Sequence, residues 1–141
     1  ALGKEESFID IAEVDYNQLG SFGSFSLNGA SKDKYKNIPN KTQRIRMSTL
    51  DKFVEENNIQ KIDFIKIDVE GLDIDVIEGG INSIMNFKPD LYVEYLNLGS
   101  TKCEDSSNEG REILIQYLNN LGYTSHIVGH DIFASCKGTE I

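Results

Sequence analysis

A short apolar run at residues 62–68 constrains the fold of this chain more than any other feature. It reads Ile-Asp-Phe-Ile-Lys-Ile-Asp. Apolar residues occur at both odd- and even-numbered positions, and turn-forming residues flank the run on each side. Because a strand projects alternate side chains to opposite faces, this pattern predicts a strand buried on both faces of a sheet. A second apolar run, at residues 91–96, predicts another central strand.

Helical patterns alternate with these two strands. Apolar residues recur at helical spacing from Leu50, from Ile74 and from Ile113. Ser48 with Asp51 resembles a capping box at the start of the first helix, and Ser106 with Glu109 opens the third. The order helix, strand, helix, strand, helix therefore predicts a parallel sheet with right-handed crossovers.

The remaining segments predict two hairpins. Residues 8–11 and 43–47 are short alternating runs within a glycine-, serine- and lysine-rich region, and residues 124–128 and 131–136 alternate around Gly129-His130. With 141 residues, 39% of them hydrophobic, the chain has room for one core. We expect a single α/β domain over residues 1–141, with a hairpin region at 1–47 and an αβαβαββ portion at 48–141.

Charge and composition narrow the classes of function. The net charge of −9 argues against a nucleic-acid-binding surface. Residues 32–46 are the exception, with six basic residues against one acidic; they are either a solvated loop or a clamp for an acidic or phosphorylated substrate. No apolar run is long enough to span a bilayer and no signal peptide is visible, so the default expectation is a cytoplasmic enzyme. Cys103 and Cys136 form no C-x-x-C pair, which indicates free thiols.

Acidic residues close both predicted central strands. In parallel sheets, chemistry gathers at the carboxyl ends of the strands, which here are Asp68, Glu70 and Glu94. Lys66 shares a face with Asp68 and can reach it along the strand. If the two strands are neighbours, Asp68 and Glu94 crowd one crevice and must share a proton, a cation or a substrate donor. A general base could therefore be poised there.

Simpler interpretations stay open at this point. Asp68 and Glu94 could only satisfy backbone donors in the turns beyond their strands. A calcium loop around Asp73 and Asp75 is disfavoured, because the required glycine is missing and the helical pattern runs through it. His130, in the predicted final turn, is a weak candidate for acid–base work.

The same residues resemble the FkbM family of S-adenosylmethionine-dependent methyltransferases. The resemblance rests on Ser48-Thr49-Leu50-Asp51, on the Ile-Lys-Ile-Asp-Val-Glu-Gly core at 65–71, on Val-Ile-Glu-Gly-Gly at 76–80, and on Lys88-Pro89 and Val93-Glu94. It is strong over residues 48–94 and looser outside them. Where members commonly carry a polar or small residue followed by Glu, this chain has Leu72-Asp73.

The resemblance implies a fold and an activity. It implies the C-terminal half of a class I, Rossmann-like methyltransferase fold, with Asp68 and Glu94 ending its fourth and fifth strands. It also implies O-methyl transfer from S-adenosylmethionine to a hydroxyl group of a sugar or small metabolite. In that chemistry Asp68 and Glu70 would form the acceptor site, Glu94 would support them or act as base, and Lys66 would keep Asp68 ionised. A Mg²⁺ ion held by Asp68 and Glu94 would be a variant of this site.

One part of the family pattern has no counterpart in the sequence. The Gly-Ala-Asn-x-Gly loop after the first strand and the acid that holds the ribose are both missing. We therefore expect a fragment that binds the cofactor weakly or not at all by itself. We also expect a free flank on the strand at 62–68 that allows pairing with a second copy. The alternative is a non-catalytic interaction domain derived from a methyltransferase fold.

Overall fold

The computed structural model describes residues 1–12, 42–69, 71–94 and 109–136. Several predicted features lie outside these ranges: Glu70, the basic residues before Thr42, the helix start at Ser106, and Cys103. Cys136 is a free thiol. No helix in the described ranges combines the length and apolar character needed to cross a membrane.

The first two strands form the predicted hairpin. Strands β1 (Ser7–Ala12) and β2 (Thr42–Met47) pair antiparallel in a sheet of their own. The segment before β1 is tied to the residue after β2, because the Gly3 amide donates to the Ser48 carbonyl at 2.9 Å and the Ser48 amide to the Ala1 carbonyl at 2.9 Å. The hairpin is thereby joined to the start of the first helix.

Helix α1 (Leu50–Glu56) begins one residue later than the capping-box pattern predicted. The N-cap is Thr49, whose hydroxyl accepts the Lys52 amide at 3.1 Å. The Ser48 prediction was therefore wrong, since the Ser48 backbone is engaged in pairing with residues 1–3. Asp51 lies in α1 as predicted, but its carboxylate accepts the amides of Asn82 and Ser83 at the start of a later helix instead of completing a capping box.

The two central strands are parallel neighbours, as predicted. Strand β3 (Phe64–Ile67) pairs with β4 (Asp90–Glu94), with Phe64 opposite Asp90 and Ile67 opposite Val93. The burial prediction for β3 was only half right. Ile67 is buried, but Phe64 is 53% exposed and Lys66 is exposed, so one face of this strand is open in the described structure.

The connection between these strands contains two short helices where the sequence predicted one. Helix α2 (Asp73–Gly79) ends and helix α3 (Ile81–Phe87) begins at Gly80. Both glycines lie against other segments: a Cβ on Gly79 would collide with the Gly3 carbonyl oxygen, and one on Gly80 would lie 2.5 Å from a Leu50 methyl. The break therefore follows from close packing that the apolar periodicity does not show.

The C-terminal part follows the predicted order. Helix α4 (Glu109–Asn120) leads through Gly122, which has a positive φ of 85°, into strands β5 (Thr124–Val128) and β6 (Asp131–Ser135). These strands pair antiparallel, and β6 also pairs antiparallel with β4. The result is a mixed sheet of order β3-β4-β6-β5, in which β3 pairs with no described strand on its second flank.

One face of this sheet carries the core. Ile67, Leu91, Val93 and Ile132 are buried there with apolar residues of all four helices, among them Leu50, Val54, Val76, Ile77, Ile84, Leu114 and Leu118. The helices after β3 and β4 therefore lie on the same face, as right-handed crossovers require. The chain is a mixed α/β structure whose opposite sheet face carries Lys66, Tyr92 and Phe133 in adjacent register positions.

Candidate functional site

The predicted acidic site forms at the carboxyl ends of β3 and β4. The last register pair, Ile67 opposite Val93, places Asp68 beside Glu94 at the next position. Interaction with the Glu94 side chain is the largest cause of the lowered pKa of Asp68, which is consistent with their adjacent positions. The parallel pairing that places both acids at one edge of the sheet is confirmed, while their shared role in a site stays a prediction.

Lys66 completes this group from the same face of β3. Its Nζ lies 2.6 Å from Asp68 Oδ2, and this hydrogen bond raises the lysine pKa, supported by the nearby charges of Glu94 and Asp131. The pKa of Asp68 is lowered, first by the hydrogen bond from Glu94 and then by the one from Lys66, against a small opposing effect of burial. The lysine is paired as predicted, although it is exposed rather than enclosed.

Two carboxyl groups at neighbouring strand ends, such as Asp68 and Glu94, favour the binding of one proton between them. A carboxylate can only accept hydrogen bonds, so two carboxyl groups bond to each other only when one of them is protonated. When two acids interact strongly, a shared proton belongs to the pair rather than to either residue. An ionised acid next to a protonated one, open to solvent at a strand end, is an arrangement that can accept a proton from a bound hydroxyl group.

A third strand brings in residues that the sequence reasoning missed. Asp131, the first residue of β6, lies opposite Glu94, and its Oδ2 accepts the Tyr92 hydroxyl at 2.7 Å. This hydrogen bond raises the tyrosine pKa. Because β6 runs antiparallel to β4, its first residue lies opposite the last residue of β4. The sequence predicted the final hairpin but not that this hairpin pairs with β4, so the position of Asp131 beside Glu94 was missed.

Other predicted candidates take no part in this group. Asp73 and Asp75 lie in helix α2, so the calcium-loop geometry is not formed. Within the described ranges, no three His, Cys, Asp or Glu side chains are placed to hold a metal ion, and the Mg²⁺ prediction has no support. His130 is exposed in the turn between β5 and β6, while Glu70 lies outside the described residues.

Asp73 is the most buried carboxyl group close to the site. It is 7% exposed, and burial raises its pKa against the backbone amides of Val69, Asp73 and Gly71, which lower it. The charge of Asp68 raises it further. The sequence marked Asp73 as a departure from a family pattern and as part of a disfavoured calcium loop, and it gave no sign of the burial of this side chain.

A separate groove of about 580 Å³ lies on the helical side of the molecule. It is lined by residues of α1 and α3, including Asp51, Asn82 and Phe87. The Asp51 carboxylate there is engaged by the amides of Asn82 and Ser83. Neither Asp68 nor Glu94 lines this groove. Because Asp68 and Glu94 lie together beside the charged side chain of Lys66, they are the better candidate for chemistry.

Comparison with known proteins identifies the family of this chain. A sequence model described as the Methyltransferase FkbM domain matches residues 1–125, which is most of the chain. Searches of curated proteins and of solved structures return no significant match. The match includes β3, β4, Asp68 and Glu94, and the chain therefore belongs to the FkbM methyltransferase domain family.

Proposed function

We propose that this chain forms the acceptor side of a methyltransferase that transfers a methyl group from S-adenosylmethionine to a hydroxyl group of a sugar or small metabolite. The family supports methyl transfer, and the placement of Asp68 and Glu94 at the ends of two parallel neighbouring strands is the observation that carries the assignment of the acceptor site. In this proposal the sheet order β3-β4-β6-β5 is the C-terminal half of a Rossmann-like methyltransferase sheet.

Asp68 is the proposed general base. Its pKa is lowered by the interactions with Glu94 and Lys66, so Asp68 is ionised near neutral pH. An acceptor hydroxyl within about 2.6 to 3.2 Å of Asp68 can give its proton to this carboxylate. Lys66 stabilises the ionised form from the other side, with its Nζ 2.6 Å from Oδ2.

The described residues do not fit a complete cofactor site. S-adenosylmethionine supplies an electrophilic methyl group on a sulfonium and has to be held through its amino-acid part and its ribose. Such contacts usually come from a glycine-rich loop that opens a helix and from a strand-end acid. The acids at the site end of the described sheet, Asp68, Glu94 and Asp131, already interact with Lys66, Tyr92 or each other. We therefore assign no cofactor-holding role to any of them.

Two measurements test the proposal. Calorimetry of this 141-residue chain with S-adenosylmethionine is expected to show weak or no binding, and low-micromolar affinity would contradict the acceptor-side assignment. In the whole protein that the gene encodes, transfer of a labelled methyl group to a panel of sugars and small hydroxyl compounds is expected to fall by about 10²-fold or more in D68N, the usual contribution of a positioned base.

D63N is the matched control for D68N. Asp63 precedes the same strand at its other end and forms an ion pair with Lys61 at 2.6 Å between exposed side chains. Because exposed ion pairs contribute little to stability, D63N should retain near wild-type transfer. Equal losses in D63N and D68N would show that the effect is one of folding or charge and would remove Asp68 from the role of base.

A further inference from the structure

The face of the sheet opposite the core carries two aromatic rings side by side. Tyr92 of β4 and Phe133 of β6 are direct cross-strand partners, and Lys66 of β3 lies opposite Tyr92 on its other flank. Both rings are half-buried, and neither belongs to the core cluster or packs against it. Cross-strand partners lie about 5 Å apart, so these two rings form one continuous apolar surface, which we call the aromatic platform.

The aromatic platform borders the acids at the strand ends. Glu94 and Asp131 lie two residues along the strands from Tyr92 and Phe133, so they are on the same face and about 7 Å closer to the carboxyl end of β4. The Tyr92 hydroxyl donates to Asp131 Oδ2 at 2.7 Å, which fixes the ring and the carboxylate relative to each other. A carboxylate has several acceptor positions, so Asp131 can accept a further hydrogen bond beside the platform.

The charges around the aromatic platform select the chemistry of a ligand. An anion would be repelled by Asp68, Glu94 and Asp131, and a cation on the rings would lie beside the Lys66 ammonium group. A purely apolar ligand would remove water from the carboxylates without replacing its hydrogen bonds. A sugar ring meets all these conditions, because its C–H face packs against aromatic rings while its hydroxyl groups donate to carboxylates at the rim.

We propose that the aromatic platform and Asp131 bind a sugar ring, with Asp131 accepting a second hydroxyl group while the reacting hydroxyl group lies at Asp68. This inference rests on the proposed function and narrows its acceptor class from sugars and small metabolites to sugars. Asp68 and Asp131 stand at the ends of strands that β4 separates, about 10 Å apart at the backbone. Even with a hydrogen bond of about 2.7 Å at each end, a ligand that reaches both acids must be several ångströms wide, as a ring is and a short alcohol is not.

NMR titration of the labelled 141-residue chain tests this subsite directly. The probes are the methyl glycosides of common hexoses, and the observed signals are those of the Tyr92 and Phe133 rings and of the Asp131 carboxyl group. We expect at least one glycoside to shift these signals saturably. Cyclohexanol lacks the second hydroxyl group, sorbitol lacks the ring and tetramethylammonium is charged, so each should bind at least about 10-fold more weakly. No saturable shift with any glycoside would overturn the proposal, and so would equal or tighter binding of any of these three compounds.

Substitutions separate the contribution of the ring from that of the carboxylate. Y92L removes the aromatic surface and should weaken glycoside binding by about 3- to 10-fold, whereas Y92F keeps the ring, loses the bond to Asp131 and should weaken binding less. D131N loses the charge that strengthens the hydrogen bond from the sugar and should weaken binding by about 10-fold or more. Because D131N preserves the shape of the side chain, the test does not depend on the folding of Y92L. Wild-type affinity in D131N or in Y92L would overturn the proposal.

F64L is the matched control. Phe64 is exposed on the same face of the sheet, but at the end of β3 that lies away from Asp68. F64L should retain wild-type affinity, and a loss equal to that of Y92L would show that sugars bind to any exposed ring and would overturn the proposal. These readouts involve no methyl transfer. Glycoside binding in a protein that transfers no methyl group would contradict the proposed activity alone, so the two failures are distinguishable.

Discussion

At the scale of single residues, Asp51 shows how one carboxylate joins two helices. It lies in the first turn of α1, yet its oxygens accept the Ser83 amide at 2.7 Å and the Asn82 amide at 3.1 Å at the start of α3. Burial tends to raise its pKa, but the hydrogen bonds from Ser83 and Asn82 outweigh this effect, and the net pKa is lowered. Helix α3, whose own N-cap Gly80 has no side chain, is capped from outside.

Replacing Asp51 by alanine should therefore destabilise the chain. We expect a loss of about 1 kcal/mol in the free energy of unfolding at neutral pH, as for other lost helix caps. Since the folded pKa is below the unfolded one, this contribution is present above the unfolded value near 4 and disappears as the pH falls through the folded value. Chemical denaturation of D51A and of the wild type at pH 7 and at pH 3 measures this pH dependence, with the exposed Asp63→Ala as control. A loss of stability of equal size at both pH values would contradict the prediction.

At the scale of elements, the two helices between β3 and β4 depend on close backbone packing. Gly79 ends α2 with its Cα against the Gly3 carbonyl, and Lys4 next to it forms an ion pair with Glu78 at 2.7 Å. The N-terminal residues, which also pair with Ser48, are thus packed against α2. A side chain at Gly79 would have to displace backbone.

Gly79→Ala should accordingly be destabilising, by about 1 to 3 kcal/mol, the usual range for overpacking. Helix propensity alone would favour the alanine by up to about 1 kcal/mol, so the sign of the change separates the two effects. Thermal unfolding of G79A measures the change in stability, with Asn86→Ala, a substitution at an exposed position of α3, as the control. A higher melting temperature for G79A would show that residues 1–4 do not pack against α2 in solution.

The elements themselves were largely predictable, but their tertiary contacts were not. The runs at 62–68 and 91–96, the two hairpins and the helix ended by Gly122 follow from periodicity and turn residues. The break at Gly80 and the Thr49 cap depend on Leu50, Gly3 and Ser48, which come together only in the fold. The proximity of Asp68 and Glu94 was predictable because neighbouring parallel strands end at the same edge of the sheet. The proximity of Asp131 to Glu94 was not predictable, because the pairing of β6 with β4 is not visible in the sequence.

At the scale of the whole molecule, the open flank of β3 has a consequence for association. Strand β3 pairs with β4 alone among the described strands, and Phe64 beside that flank is 53% exposed. A strand edge with unpaired backbone groups is a template for another strand. We therefore expect two copies to associate through β3 about a two-fold axis.

Light scattering at increasing concentration checks this expectation. The chain should show a concentration-dependent approach to the mass of a dimer, and Phe64→Lys, which places like charges at the interface, should shift it toward the monomer. Phe53→Lys, at a similarly exposed position in α1, is the control and should leave association unchanged. A monomer at all concentrations would contradict the expectation.

The proposed role of Asp68 as base depends on interactions with Glu94 and Lys66 that favour its ionised form. Carboxyl ¹³C NMR titration of Asp68 measures these interactions most directly. We expect a pKa for Asp68 below the ordinary value of about 3.9, rising toward that value in E94A and in K66M as each partner is lost. An Asp68 carboxyl group that titrates at or above its ordinary value in the wild type, unaffected by either substitution, would contradict this expectation.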